Sequence, residues 1–188
     1  MALNITGDPE ADALLDQSPF ALLTGMLLDQ QVPMETAFAG PAKLRDRLGS
    51  LDPATVSGTD PERLAEAMKQ TPAVHRFPGS MAARVQALAA AIVSDWGGDT
   101  AAIWTQGDPD GAEVLRRLKA LPGFGEQKAK IFLALLGKQK GLRAAGWRDA
   151  AGDYGTPGYR SVADIVDAES LTRVREHKRA MKAAAKGH

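Results

Sequence analysis

The chain of 188 residues predicts an all-α fold on three observations. Apolar residues recur at helical spacing along most of its length, proline-containing start signals precede those runs, and no stretch alternates apolar and polar residues as a half-buried strand would. The length suffices for one substantial domain or two intimately packed subdomains, with enough core to fold without staples. Cysteine is absent, which excludes disulfides, thiolate metal sites, iron–sulfur clusters and cysteine nucleophiles. No apolar run approaches bilayer length and the N-terminus lacks a basic region followed by an apolar core, so the expectation is a cytoplasmic monomer with no membrane association.

The elements follow in order. Ser18-Pro19 supplies a cap and a first-turn proline ahead of Phe20, Leu22, Leu23, Met26, Leu27 and Leu28, whose density suggests a helix buried on more than one side. Asp52-Pro53, Asp60-Pro61 and Asp108-Pro109 repeat that start signal, and residues 63–69 and 112–121 show helical spacing behind the last two. A longer helix is expected from about Ser80 to Trp96, stopping at Gly97-Gly98. Residues 137–159 change to Gly, Lys, Arg, Asp and Pro with a few aromatics, an irregular stretch long enough to suggest a functional loop. Residues 161–166 read as a short helix, and 167–186 resume helical periodicity with a basic surface that is either a solvated terminal face or a phosphate contact.

Between the predicted helices lies Leu121-Pro122-Gly123-Phe124-Gly125, running into Glu126-Gln127-Lys128-Ala129-Lys130. Pro122 stops the preceding helix and the Gly-Phe-Gly turn lets the backbone approach a ligand closely. The next helix then starts with unpaired amide N–H groups, and these, with the helix dipole and Lys128 and Lys130, would attract an anion such as a nucleic-acid phosphate. The same turn also serves an ordinary αα-hairpin. Charge distribution favours the anion: residues 1–100 hold 13 acidic and 7 basic side chains, whereas 101–188 hold 10 and 16.

Three segments together resemble one family. The hairpin Leu121 to Gly125 with Ala129, the upstream run Phe20 to Val32 containing Gln30-Gln31, and the stretch Phe77-Pro78-Gly79-Ser80-Met81-Ala82-Ala83-Arg84-Val85 resemble, in order and spacing, the helix-hairpin-helix DNA glycosylases of the HhH-GPD superfamily. The resemblance implies two helical subdomains flanking a cleft. Residues 20–136 would form a helical barrel carrying the helix-hairpin-helix at 112–136, and residues 1–19 with 137–188 the second subdomain. It also implies base-excision repair of double-stranded DNA by hydrolysis of an N-glycosidic bond after base flipping, with a non-catalytic DNA-binding or lesion-sensing protein of the same fold as the alternative.

By that resemblance Gly123, Phe124, Gly125, Gln127, Lys128 and Lys130 contact DNA at the hairpin, and Gln30 or Gln31 fills the vacated space or pairs with the orphaned base; as plain residues, both glutamines equally suit capping a core helix. The family's strand-cleaving members use a hairpin lysine whose place here is taken by Gln127, so hydrolysis without strand cleavage is expected, and Lys128 is assigned to phosphate or solvent. The family's catalytic aspartate would fall near Ala145, where no Val-Asp motif stands. Asp149 is therefore the expected catalytic carboxylate, with Asp153 and Asp164 as alternatives. Trp147, and Tyr154 in the same stretch, offer an aromatic for an extruded base or for packing. No metal-ligand spacing occurs, no cofactor is expected, and a structural monovalent cation on the hairpin carbonyls is implied only by the resemblance.

Overall fold

In the computed structural model, which describes residues 3–187, the regular structure is entirely helical, with no strand among the described residues. In chain order the helices are α1 (Pro9–Gln17), α2 (Pro19–Leu28), α3 (Met34–Leu48), α4 (Pro53–Gly58), α5 (Pro61–Lys69), α6 (Pro78–Trp96), α7 (Ala102–Thr105), α8 (Gly111–Lys119), α9 (Glu126–Gln139), α10 (Trp147–Ala151) and α11 (Ala168–Lys186). Two 3₁₀ turns, Gly152–Gly155 and Val162–Asp164, lie between α10 and α11.

The start signals act locally as their chemistry requires. Ser18 accepts the Ala21 N–H at 3.1 Å and Asp60 accepts the Glu62 N–H at 2.8 Å, each satisfying a donor that the first helical turn leaves open. Asp52 precedes α4 without a side-chain cap bond, and Asp108-Pro109 departs further. There the helix begins later, at Gly111, because Asp110 is the residue that caps it through the Glu113 N–H, while Asp108 turns the chain with a left-handed φ of 52°.

Helices α1 and α3 lie outside the sequence-based expectations. The Gly40-Pro41 pair inside α3 reads as a breaker, yet both residues are buried within the helix. A side chain at Gly40 would meet Leu28 Cδ1 at 2.8 Å, so the small residue lets α3 lie close against α2. Gly25 does the same from α2, since a Cβ there would meet the Phe38 ring at 2.5 Å. Every residue of α2 from Phe20 to Leu28 is buried, as its apolar density predicts. It packs on α1 and α3, and it also touches α6 and α9.

Residues 137–159 are more regular than expected. Helix α9 continues to Gln139, and Trp147 opens α10 with its ring against Gly137, where a Cβ would meet the indole at 2.5 Å. One apolar core runs from Leu3 to Val174 and draws on residues before 20, between 20 and 136, and after 137. Asp16 of α1 is tied to Lys140, just past α9, at 2.8 Å. Helix α11 begins with a reciprocal Asp167–Ser170 capping box, and only Ser170 and Val174 of it are buried. Ion pairs join it to the body of the molecule: Arg175 with Glu35, and Lys178 with Asp29 at 3.7 Å.

Because the indole of Trp147 occupies the space beside Gly137, Gly137→Ala is expected to destabilise the fold by about 1–3 kcal/mol. Thermal unfolding followed by circular dichroism checks this, and an unchanged Tm would contradict the packing.

Candidate functional site

The C-terminal end of α2 is buried; past its last turn the Asp29 N–H meets the Met26 carbonyl at 3.2 Å and the Gln30 N–H meets that of Leu28 at 2.7 Å, which leaves acceptor capacity for further donors. Distant side chains supply donors. Lys128, from the first turns of α9, places Nζ 2.9 Å from the Met26 carbonyl and 3.0 Å from that of Leu27. Burial lowers its pKa from 10.5 to about 8, opposed by the nearby Asp29 carboxylate. Lys128 is thus turned inward to α2 and not to phosphate or solvent as expected, because one residue along a helix rotates a side chain by roughly 100°.

His75 approaches the same end from the turn before α6. Its Nδ1 accepts the Phe77 N–H at 3.0 Å, which leaves Nε2 to donate to the carbonyls of Leu28, at 3.1 Å, and Gln30, at 2.9 Å. Gln30 donates from Nε2 to the Leu27 carbonyl at 2.8 Å, and its Oε1 accepts from Arg84 at 2.8 Å. Both ends of its amide are therefore engaged by the protein. Gln31 differs: it is exposed and stands in left-handed backbone with φ 60°. Beside it Phe77 is 41% exposed, and the two border a shallow pocket of about 230 Å³ with Gln30, His75, Ser80 and Arg84.

A larger cavity of about 360 Å³ lies between α9, α11 and the turns after α10, reaching in to Asp29 at the end of α2. Gln127 and Lys130 face it from α9, Asp153 and Tyr154 from the first 3₁₀ turn, Arg160 from the segment that follows, and His177, Lys178 and Lys182 from α11. Four cationic side chains thus line it against two carboxylates, Asp29 and Asp153. Gln127 donates to the Tyr154 hydroxyl at 2.9 Å, and the Nε of Arg160 is buried without a hydrogen-bond partner among the described residues. The Asp29 side chain is 7% exposed. Burial pushes its pKa up, and Lys178, Lys128 and Lys182 draw it back. Sequence reasoning assigned Asp29 no role; the available signal was a single carboxylate closing an otherwise apolar helix.

In the hairpin, Gly123 has φ 83° and the Phe124 N–H bonds the Leu121 carbonyl at 3.1 Å, which closes the turn. The Phe124 side chain is buried edge-on against Phe132, with ring centroids 6.4 Å apart, so its ring is not available to DNA as expected and only its backbone remains on the turn. No side chain caps α9, and a Cβ at Gly125 would meet nothing within 4 Å. Lys130 pairs with Glu126 at 3.4 Å.

The expected catalytic carboxylates fall in three different places. Asp149 is exposed on α10 and does not line the cavity, because the stretch that carries it packs as a helix against α8 and α9. Asp153 lines the cavity from an exposed position. Asp164, 8% exposed, accepts Lys138 Nζ at 2.7 Å and the Arg160 N–H at 2.8 Å, so its lone pairs hold the chain together. Trp147 also lies outside the cavity, held between Gly137 and the Arg148 guanidinium 4.5 Å above its ring, and Tyr154 is the aromatic at the cavity wall. Among the described residues no group of three or more His, Asp or Glu is gathered to hold a metal.

Compared with models of protein families, residues 24–186 match the HhH-GPD superfamily base excision DNA repair protein. Neither a search of curated proteins nor one of solved structures gives a significant match.

Two outcomes follow from these environments. Asp164→Ala leaves part-buried Lys138 with only the Thr156 carbonyl and frees the Arg160 amide, and is expected to cost about 1–3 kcal/mol of stability, measured by urea unfolding. Lys128 should titrate near pH 8 when its Cε resonance is followed by NMR. Between about 8 and 10.5 the unfolded chain keeps a proton that folded Lys128 has shed, so this residue makes the protein more stable as pH rises through that interval.

Proposed function

Because the chain belongs to the HhH-GPD superfamily of base excision DNA repair proteins, we propose that it is a monofunctional DNA glycosylase. It would hydrolyse the N-glycosidic bond of a damaged or mispaired base flipped out of double-stranded DNA. The observation that carries this reading is the basic cavity beside the hairpin helix, which offers Gln127 where a strand-cleaving relative would offer an amine. A carboxamide nitrogen shares its lone pair with the carbonyl and forms no Schiff base. The neighbouring Lys128 amine is occupied by the Met26 and Leu27 carbonyls.

The geometry suits the successive demands of base removal. Gly125 and the uncapped first amides of α9 meet the backbone phosphate, for which a glycine leaves room. Extruding a nucleotide costs a few kcal/mol, and Gln31 with the exposed ring of Phe77 can occupy the gap it leaves in the stack. The base enters the cavity, where the Tyr154 ring offers a stacking face, and the cationic lining attracts the flanking phosphates.

The test is a panel of duplexes carrying alkylated, deaminated, oxidised or mismatched bases, treated with alkali after incubation. The expected product is an abasic site that breaks only with alkali and yields no borohydride-trapped adduct. Absence of abasic sites from every duplex would leave the lesion-sensing alternative in its place, and breaks before alkali would remove the monofunctional assignment. Gly125→Ala should weaken duplex binding by about tenfold, roughly 1.4 kcal/mol, without lowering Tm, because the added methyl has free space until phosphate arrives.

A further inference from the structure

The buried carboxylates of this protein fall into two kinds. Asp12 accepts the amides of Ile5 and Thr6 and the Thr6 hydroxyl at 2.9–3.1 Å, and Asp164 accepts Lys138 and two amides. Both are held by three protein donors, in Asp12 all on Oδ1, as buried charges that serve only the fold are. Asp29 is not. No N–H or O–H among the described residues lies within hydrogen-bond distance of its carboxylate; the nearest cation, Lys178 Nζ, stands 3.7 Å away. Its side chain is nonetheless almost wholly removed from bulk water and opens on the cavity that Gln127 lines.

We propose that Asp29 is the catalytic carboxylate, facing the sugar of the extruded nucleotide and stabilising the positive charge at C1′ as the base departs. This assignment rests on the glycosylase reading above and places the acid on the α2 end instead of the stretch after the hairpin. A carboxylate with few donors and little water interacts strongly with a cation that develops beside it, and it needs no reorganisation to do so. The C1′–N bond breaks with its electron pair leaving on the base, which takes up a proton from solvent. Water then adds its oxygen to C1′ and gives its proton to Asp29, which returns it to solvent. One water is consumed and no strand bond is touched. Lys178, from α11, opposes the rise that burial imposes on the Asp29 pKa, so the terminal helix is part of the site as a positioning element.

Two measurements test the assignment. In the first, Asp29→Asn should reduce excision by about a hundredfold or more while duplex affinity stays within about threefold. In the second, binding is compared for duplexes carrying a cationic pyrrolidine abasic nucleotide and the neutral tetrahydrofuran analogue, neither of which needs a known lesion. The unmodified protein should prefer the pyrrolidine by about tenfold or more, and Asp29→Asn should lose that preference. Lys178→Met, at a half-exposed position, keeps the idea testable if the Asn variant unfolds: removing the cation raises the Asp29 pKa, so the acidic limb of the excision profile moves to higher pH. Excision and pyrrolidine preference that persist in Asp29→Asn, or an acidic limb unmoved by Lys178→Met, overturn the assignment and leave the glycosylase reading intact. Absence of both excision and preference in the unmodified protein overturns the two together.

Discussion

The buried C-terminus of α2 is the constraint from which the site is built. A helix end presents carbonyls that cannot be satisfied within the helix, and in a dry interior each one left unpaired costs a few kcal/mol. The backbone amides of Asp29 and Gln30 meet the Met26 and Leu28 carbonyls, and further donors come from side chains. They come as Lys128 from α9, His75 from the turn before α6, and the Gln30 amide. Three elements far apart in sequence are thereby held to one point, and the chain leaving that point is aimed: Asp29 toward the larger cavity and Gln31 outward to the surface.

The same constraint divides labour among the hairpin's polar residues. Gln127 and Lys128 are adjacent, but helical rotation gives one to the cavity and the other to α2. An amine that holds a helix end together is a donor with a fixed task. On the α9 face of the cavity the residue beside Lys128 is thus a carboxamide, Gln127, and not a second amine.

Charge placement follows a related logic. Where a carboxylate serves the fold, several protein donors hold it: two amides and a hydroxyl at Asp12, a lysine and two amides at Asp164. Burial without such partners raises the energy of the ionised form, and a cation that appears only during a reaction then relieves it. Helix α11 contributes to this balance while burying few of its own residues. Its attachment to the body relies on the ion pairs of Arg175 and Lys178, so cavity formation and electrostatics are linked.

What the sequence determined by itself is what depends on neighbours a few residues apart. Apolar spacing marked α2 and α6, Ser18-Pro19 and Asp60-Pro61 marked helix starts, and Pro122 with Gly123 marked the hairpin, because proline's fixed φ and glycine's freedom act within one turn. Three such segments in order sufficed for the resemblance, and the family match over residues 24–186 agrees with it. The same local rules gave no reading of α3, whose Gly40-Pro41 pair lies buried inside the helix with Gly40 close against Leu28 and Val74. They also left Trp147 and Asp149 in a supposed loop that is helical. Only the tertiary structure decided which charges face the cavity. Lys128 meets a carbonyl 102 residues away and His75 one that is 47 away, and contacts of that separation leave no trace in local periodicity.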